Sequence, residues 1–290
     1  MINHEAIAEF SEMTARERQF VLECIEDKKP KKILEIGVAA GANSTLILDF
    51  LEKHNSLNST AFYAIDYNKT YYRDLEWGGG VTTKNPRESG FLVDLLVPHL
   101  RDYYQVYKGG YCAKYLENVG DSIDLCIIDT VHAQPGEGLD FLMVLPYLSE
   151  NATIILHDIA YHTMDFDNRH HNICALLFLS LFGKKTIPQP YDNYSTAFQN
   201  IGACVLDSDQ SRFYEYYFRI LHFPWVYMPP KKDMLVFKNH IAKHYPQDLI
   251  EAFDNMETLQ SQWFNLESIA KMSKWKKFRR RVKAYFKRTR

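Results

Sequence analysis

The chemistry-bearing residues of this 290-residue chain cluster where apolar runs stop. Ile33-Leu34-Glu35-Ile36 breaks into the glycine-flanked turn Gly37-Val38-Ala39-Ala40-Gly41. A buried strand that feeds a helix through such a turn presents free backbone N–H groups to a ligand. A side chain at Gly37 or Gly41 is expected to block the ligand's approach to that backbone. Two further runs close on carboxylates, Asp66 and Asp129, and a third closes on His157-Asp158. Asp66 suits a ligand diol, because one carboxylate can accept from two hydroxyls. Imidazole titrates near neutrality, so His132 and His157 can take a proton from a weakly acidic hydroxyl. The alternative is a divalent cation on Asp129, His157 and Asp158 that lowers the hydroxyl pKa, with an oxygen-rich donor set favouring Mg²⁺ or Mn²⁺.

Two common phosphate-binding readings of the turn fail on spacing. The dinucleotide fingerprint needs glycines where this chain has Gly37, Ala39 and Ala42, so only one matches. A P-loop needs Gly-Lys-Ser/Thr, which the turn lacks. The run His157, Asp158, His162, Asp165, Asp167, His170, His171 is dense in ligand types but fits no zinc spacing. It reads as a loop over a pocket.

These residues must be positioned by alternating strands and helices. Strands are predicted at 32–37, 61–66, 103–107, 123–129, 152–158, 184–188 and 201–206. Helices are predicted at 3–27, 43–54, 91–101, 112–119, 137–148 and 171–182, with 211–270 helical and interrupted by prolines. Strands that are continuous apolar runs separated by helices make a parallel sheet covered on both faces. Ligands of such sheets lie beyond the carboxyl ends of the strands, where Gly37, Asp66, Gly109, Asp129 and Asp158 all fall. Residues 67–90, with Trp77, Gly78-Gly79-Gly80 and Asn85-Pro86, read as a mobile loop, either a lid or a disordered insertion.

The net charge of −2 conceals an uneven distribution. Residues 271–290 carry eleven Lys/Arg and no acid, leaving 23 basic against 36 acidic residues in the first 270. The tail places Trp275, Phe278 and Val282 on one helical face among basic residues. That pattern suits an anionic membrane surface, and the acidic body offers no second basic surface for nucleic acid. Five scattered cysteines without a CxxC pair read as reduced. No signal peptide or membrane-spanning run is evident, so the expected location is cytoplasmic, peripheral at the inner face of the membrane through the tail.

Glu35-x-Gly37-x-x-x-Gly41 followed by Asp66 resembles the class I S-adenosylmethionine-dependent methyltransferases. Asp129-Thr130-Val131-His132 and His157-Asp158 resemble the branch of sugar and small-molecule O-methyltransferases, including enzymes of antibiotic and surface-polysaccharide pathways. The resemblance spans about residues 30–207. It implies a Rossmann-like seven-stranded methyltransferase sheet whose last strand, 201–206, is antiparallel, with helical N- and C-terminal additions. The expected organisation is a helical segment 1–29, a methyltransferase domain 30–210, a helical extension 211–270 and the basic tail 271–290. S-adenosylmethionine is then expected against Glu35, Gly37, Ala39, Gly41, Ser44, Asp66, Gly110 and Asp129. Glu35 would bind the amino end or order the loop, and His132, His157 and Asp129 would serve catalysis. The acceptor would be a hydroxyl of a sugar, glycan or glycosylated metabolite. A non-sugar small molecule, or a scaffold that binds the cofactor without turnover, are the alternatives, and a homo-oligomer is allowed. The chain departs from the family pattern at Thr130, where glycine is more usual, and at Glu150-Asn151, where a Gly-Gly turn is usual.

Overall fold

In a computed structural model of the chain, residues 2, 4–76, 80–160, 172–189 and 199–266 are described. Seven strands form one sheet: β1 Lys32–Ile36, β2 Ala61–Asp66, β3 Tyr104–Lys108, β4 Ile123–Ile128, β5 Leu148–His157, β6 Gly183–Thr186 and β7 Ile201–Leu206. Their order is β3-β2-β1-β4-β5-β7-β6. The first five pair in parallel, and β7 runs antiparallel to both β5 and β6. This is the expected Rossmann-like methyltransferase sheet. Order reverses at β1/β4, so the crevice for a ligand opens between the ends of those two strands.

The strands are apolar runs because both faces are covered. Leu34, Ile36, Cys126, Ile128, Ile154 and Leu156 face one buried cluster, while Ile33, Ala64, Leu125, Ile127 and Ile155 face the other. The first cluster continues through Phe237, Phe253 and Met256, so the C-terminal helices Lys231–His244 and 247–266 share a core with the sheet.

Several predicted boundaries shift for identifiable reasons. The single helix expected over 3–27 is two, His4–Ala8 and Ala15–Lys28. Thr14 restarts the chain with a capping box, its side chain accepting from Glu17 N while Glu17 accepts from Thr14 N. Pro98 ends the helix expected over 91–101 at Leu96, and a 3-10 turn Pro98–Tyr103 follows. Around Pro146 the helix expected over 137–148 stops at Val144, and β5 starts at Leu148, earlier than predicted. The described part of 67–90 has an ordered backbone, and its Tyr67, Asn68 and Tyr72 line a cavity beyond the strand ends. Backbone bonds Tyr71 N to Arg87 O and Ser89 N to Lys69 O close it on itself. Gly90 N and Leu92 N then donate to Ala39 O and Ala40 O, docking it on the glycine turn.

Candidate functional site

The turn after β1 is packed against neighbouring backbone on the side away from the cavity. Gly37 and Gly41 have φ of +92° and +87°, a region that glycine alone adopts freely. A Cβ on Gly37 would come within 1.7 Å of Asp129 O, and one on Gly41 within 2.8 Å of Gly90 Cα. The glycines therefore admit the neighbouring backbone, a requirement the sequence did not reveal. Ala39 also takes a positive φ, +51°. Asp66 secures it: Oδ2 accepts from Val38 N at 3.0 Å and Ala39 N at 2.9 Å, and Oδ1 accepts from Asn68 N at 2.7 Å. Burial nevertheless pushes the Asp66 carboxyl up from its ordinary pKa, against those three bonds.

Glu35 is buried behind the turn and orders it. Asn43 Nδ2 donates to Oε1 at 3.0 Å, and the Ser44 hydroxyl donates to Oε2 while lying 3.0 Å from the Tyr104 hydroxyl. Burial raises the Glu35 carboxyl to about 7. Asn43 Oδ1 is buried with no hydrogen-bond partner among the described residues.

A cavity of about 850 Å³ opens beyond the strand ends. Of the expected cofactor contacts, Glu35, Gly37, Ala39, Asp66, Gly110 and Asp129 line it. Gly41 and Ser44 do not; they stand behind its wall, where Ser44 serves Glu35. Phe10 to Met13 and Tyr227 also line it, contributed by segments far from the turn in sequence.

In the same lining, His132, His157, Asp129 and Asp158 come together as the sequence suggests. His157 Nδ1 lies 3.3 Å from Asp129 Oδ1 and 3.1 Å from Asp158 Oδ2. His132 Nε2 lies 3.1 Å from the same Asp158 oxygen. Asp158 Oδ1 accepts from Asn200 on the β7 side. Both His132 and Asp158 sit at positive φ, +58° and +56°, strained backbone that packing holds in place. The ligand atoms of Asp129, His132 and Asp158 lie within 4.8 Å of one another, close enough to share a cation. His157 stands beside that group, its Nδ1 facing both carboxylates and its Nε2 facing Glu17 Oε2 at 3.7 Å.

Three acids in this region escaped the sequence reading. Glu17, from the N-terminal helix, faces His157. Glu137, wholly buried, accepts from His132 N at 2.7 Å and Thr130 N at 3.2 Å. Asp140 accepts from the Thr130 hydroxyl at 3.1 Å, which gives the unusual Thr130 a role. Only the first-turn position of Glu137, just after His132, carried a local signal; Glu17 and Asp140 are brought in by packing.

The carboxylates decide the protonation of the imidazoles. Burial opposes a charged His132, yet Glu137, Asp158 and Asp129 outweigh it and raise the group to about 9. His157 goes well above its ordinary value for the same reason, with Asp129 foremost. Asp158 is driven down to about 2 by the two imidazoles despite its burial. Asp140 goes the other way, to about 7, because burial and the Glu137 charge both disfavour its ionised form. Both imidazoles are thus cationic near neutral pH and carry no free base. His162, Asp165, Asp167, His170 and His171 lie outside the described residues.

Comparison with known proteins follows this geometry. A search of curated proteins finds no match. A candidate caffeoyl-CoA O-methyltransferase from Staphylococcus aureus has a similar fold, with a TM-score of 0.50 at 16% identity over 70% of this chain and 91% of that one. An O-methyltransferase from Bacillus cereus in complex with SAH gives a TM-score of 0.45 at 14% identity, covering 69% and 86%. An O-methyltransferase from Streptomyces achromogenes, involved in tomaymycin synthesis and in complex with SAM, gives 0.49 at 11%, covering 70% and 87%. Residues 34–159, from β1 to the end of the His157-Asp158 strand, match a family described as a methyltransferase domain.

Proposed function

We propose that the chain is an S-adenosylmethionine-dependent O-methyltransferase acting on a hydroxyl of a sugar, glycan or glycosylated metabolite. The observation that carries this is one cavity lined both by the ordered glycine turn with Asp66 and by the Asp129–His132–His157–Asp158 cluster. Its volume is at the upper end of the roughly 300–1,000 Å³ of ligand pockets, which leaves room for an acceptor beside the cofactor.

The residues fit the cofactor at two places. Asn43 Oδ1, buried and unpartnered on the cavity wall, suits the ammonium of a methionine end. Asp66 Oδ2 is filled by two loop amides, but Oδ1 accepts only from Asn68 and has capacity for one ribose hydroxyl. Bound there, the cofactor supplies a methyl group on a sulfonium for in-line displacement by the acceptor oxygen. Glu35 acts on the turn through Asn43 and Ser44 and keeps the amides of Val38 and Ala39 aimed at Asp66.

The acceptor proton must go to this chain's own cluster. His132 or His157 takes it only after losing its own, above about pH 9 for His132. A divalent cation held by Asp129, Asp158 and His132 would displace the imidazolium proton and lower the hydroxyl pKa, so Mg²⁺ or Mn²⁺ assistance suits this donor set. The aromatic wall of Tyr67 and Tyr111, with ring centroids 4.7 Å apart, favours a second reading in which the acceptor is a flat, non-sugar hydroxyl compound.

Calorimetry with S-adenosylmethionine, followed by transfer of labelled methyl to sugar and phenolic acceptors, tests both readings. Absence of cofactor binding overturns them, and binding without turnover on any acceptor leaves a scaffold. Residues 271–290 lie outside the described residues, and no described helix is long and apolar enough to cross a membrane. Their proposed role as a membrane-surface anchor predicts salt-sensitive binding to anionic liposomes that is lost on deleting them. Equal binding by the shortened chain would remove that role.

A further inference from the structure

Behind His132, on the side away from Asp158, donors of three kinds converge. His132 Nδ1 lies 3.3 Å from Glu137 Oε1 and 4.0 Å from Cys174 Sγ, and the ligand atoms of the three residues all lie within 4.8 Å of one another. Glu137 and Cys174 have no solvent exposure. Glu137 Oε2 is buried without a hydrogen-bond partner among the described residues, which is costly for a carboxylate oxygen.

The surrounding charge lacks a full counterpart. Glu17, Asp129, Glu137 and Asp158 face two imidazoles, and buried Arg18 lies beside Glu17, so even with both imidazoles protonated one negative charge is in excess. Leaving such charge unpaired in the interior is strongly unfavourable.

We propose that His132 Nδ1, Glu137 and Cys174 Sγ form a site for a zinc-class divalent cation, an alternative to the cavity-facing group of Asp129, His132 and Asp158, because the two share His132 and only one of its nitrogens can ligate. A thiolate with an imidazole and a carboxylate selects a borderline-soft ion over Mg²⁺. Ordinary zinc bond lengths in tetrahedral geometry place donors roughly 3.3–3.6 Å apart. The nitrogen–oxygen separation already fits, and the sulfur has to approach by a few tenths of an ångström. Binding releases the Cys174 thiol proton and the Nδ1 proton to solvent, so the ion with its thiolate and carboxylate carries no net charge. His132 Nε2–H then donates to Asp158 at the 3.1 Å already present, the carboxylate–histidine–metal arrangement that fixes a ligating imidazole. The ion reaches the site past His132, whose side chain is 24% exposed at the cavity.

The full chain, stripped with chelator and titrated with Co²⁺, gives the test. One equivalent should bind with a sulfur-to-cobalt charge-transfer band in the near ultraviolet, and Zn²⁺ should abolish the band. Cys174→Ser should lose the band, Glu137→Gln should weaken binding by more than about 10-fold, and Asp158→Asn should keep the band. No cobalt binding, binding without the band, or a band that survives Cys174→Ser overturns the proposal. If either variant misfolds by circular dichroism, the wild-type spectrum decides alone. None of these readouts depends on methyl transfer, so failure of that function would leave the test intact.

Discussion

His132 and His157 share four carboxylates in a mostly buried cluster, and that ties folding to pH in a definite direction. A raised imidazole pKa means stability fully present below the unfolded value near 6.5 and lost as pH rises through the folded value, about 9 for His132. The lowered Asp158 carboxyl contributes above its ordinary 3.8 and loses that contribution as pH falls through about 2. Asp140 has the opposite sign for a carboxyl: with its folded value at about 7, ionisation costs stability progressively from about pH 4 to 7. Urea unfolding of the wild type and Asp140→Asn across pH 4–8 should therefore show the variant gaining relative stability up to about pH 7 and no further. A constant difference would contradict the buried-carboxyl assignment. For catalysis, kcat/KM should rise with pH toward about 9 without added cation and reach its plateau at lower pH with Mg²⁺ or Mn²⁺. Asp158→Asn, which removes the charge facing both imidazoles, should lower kcat by roughly 10²–10⁴ while leaving cofactor affinity nearly unchanged.

At the level of elements, the glycine turn is the most sensitive piece of backbone. Gly37→Ala combines a positive φ with a Cβ inside the Asp129 carbonyl, and should cost more than about 3 kcal/mol or prevent folding. Asp66→Ala frees three amide donors and should weaken cofactor binding about 10–100-fold, from charged hydrogen bonds worth roughly 1.5–3 kcal/mol. Thr14→Ala breaks the capping box for about 1 kcal/mol. Because Glu17 belongs to both the box and the His157 pair, the same change should also shift the pH profile, which a simple helix cap would not. These elements were unequally legible in the sequence. Strands β1, β2, β4 and β7 showed as apolar runs, and their chemical ends followed from the rule that parallel sheets bind at their carboxyl edge. Glu17 and Cys174 did not show, because each reaches the site through packing across more than 25 residues of chain, and Asp140 did not because its partner Thr130, ten residues back, lies off any helical or strand spacing.

Over the whole molecule, the sheet and the C-terminal helices share one core. Phe237 and Phe253 are fully buried in the cluster that holds Ile36 and Ile128, so a chain ending at residue 210 would expose that surface. Such a chain should bind a hydrophobic dye and lose its cooperative thermal transition, whereas deleting only 271–290 should leave the transition in place. The sequence resemblance spanned residues 30–207 and set the terminal segments apart as additions. Energetically they are part of the fold, since apolar spacing in a helix does not say which surface it covers.

The cavity's composite wall bears on how this protein could be re-engineered. The segment from β1 to Asp158 supplies the turn, Asp66 and the paired acids, whereas Phe10 to Met13 and Tyr227 come from the two ends of the chain. That part of the wall can therefore be varied by substitutions at Phe10 to Met13 and at Tyr227 while the strands that build the sheet are kept. Tyr227 is the natural first position for a library, because its backbone N–H is tethered to Gln134 O, so replacing the side chain alters the wall without releasing the strand of chain that forms it.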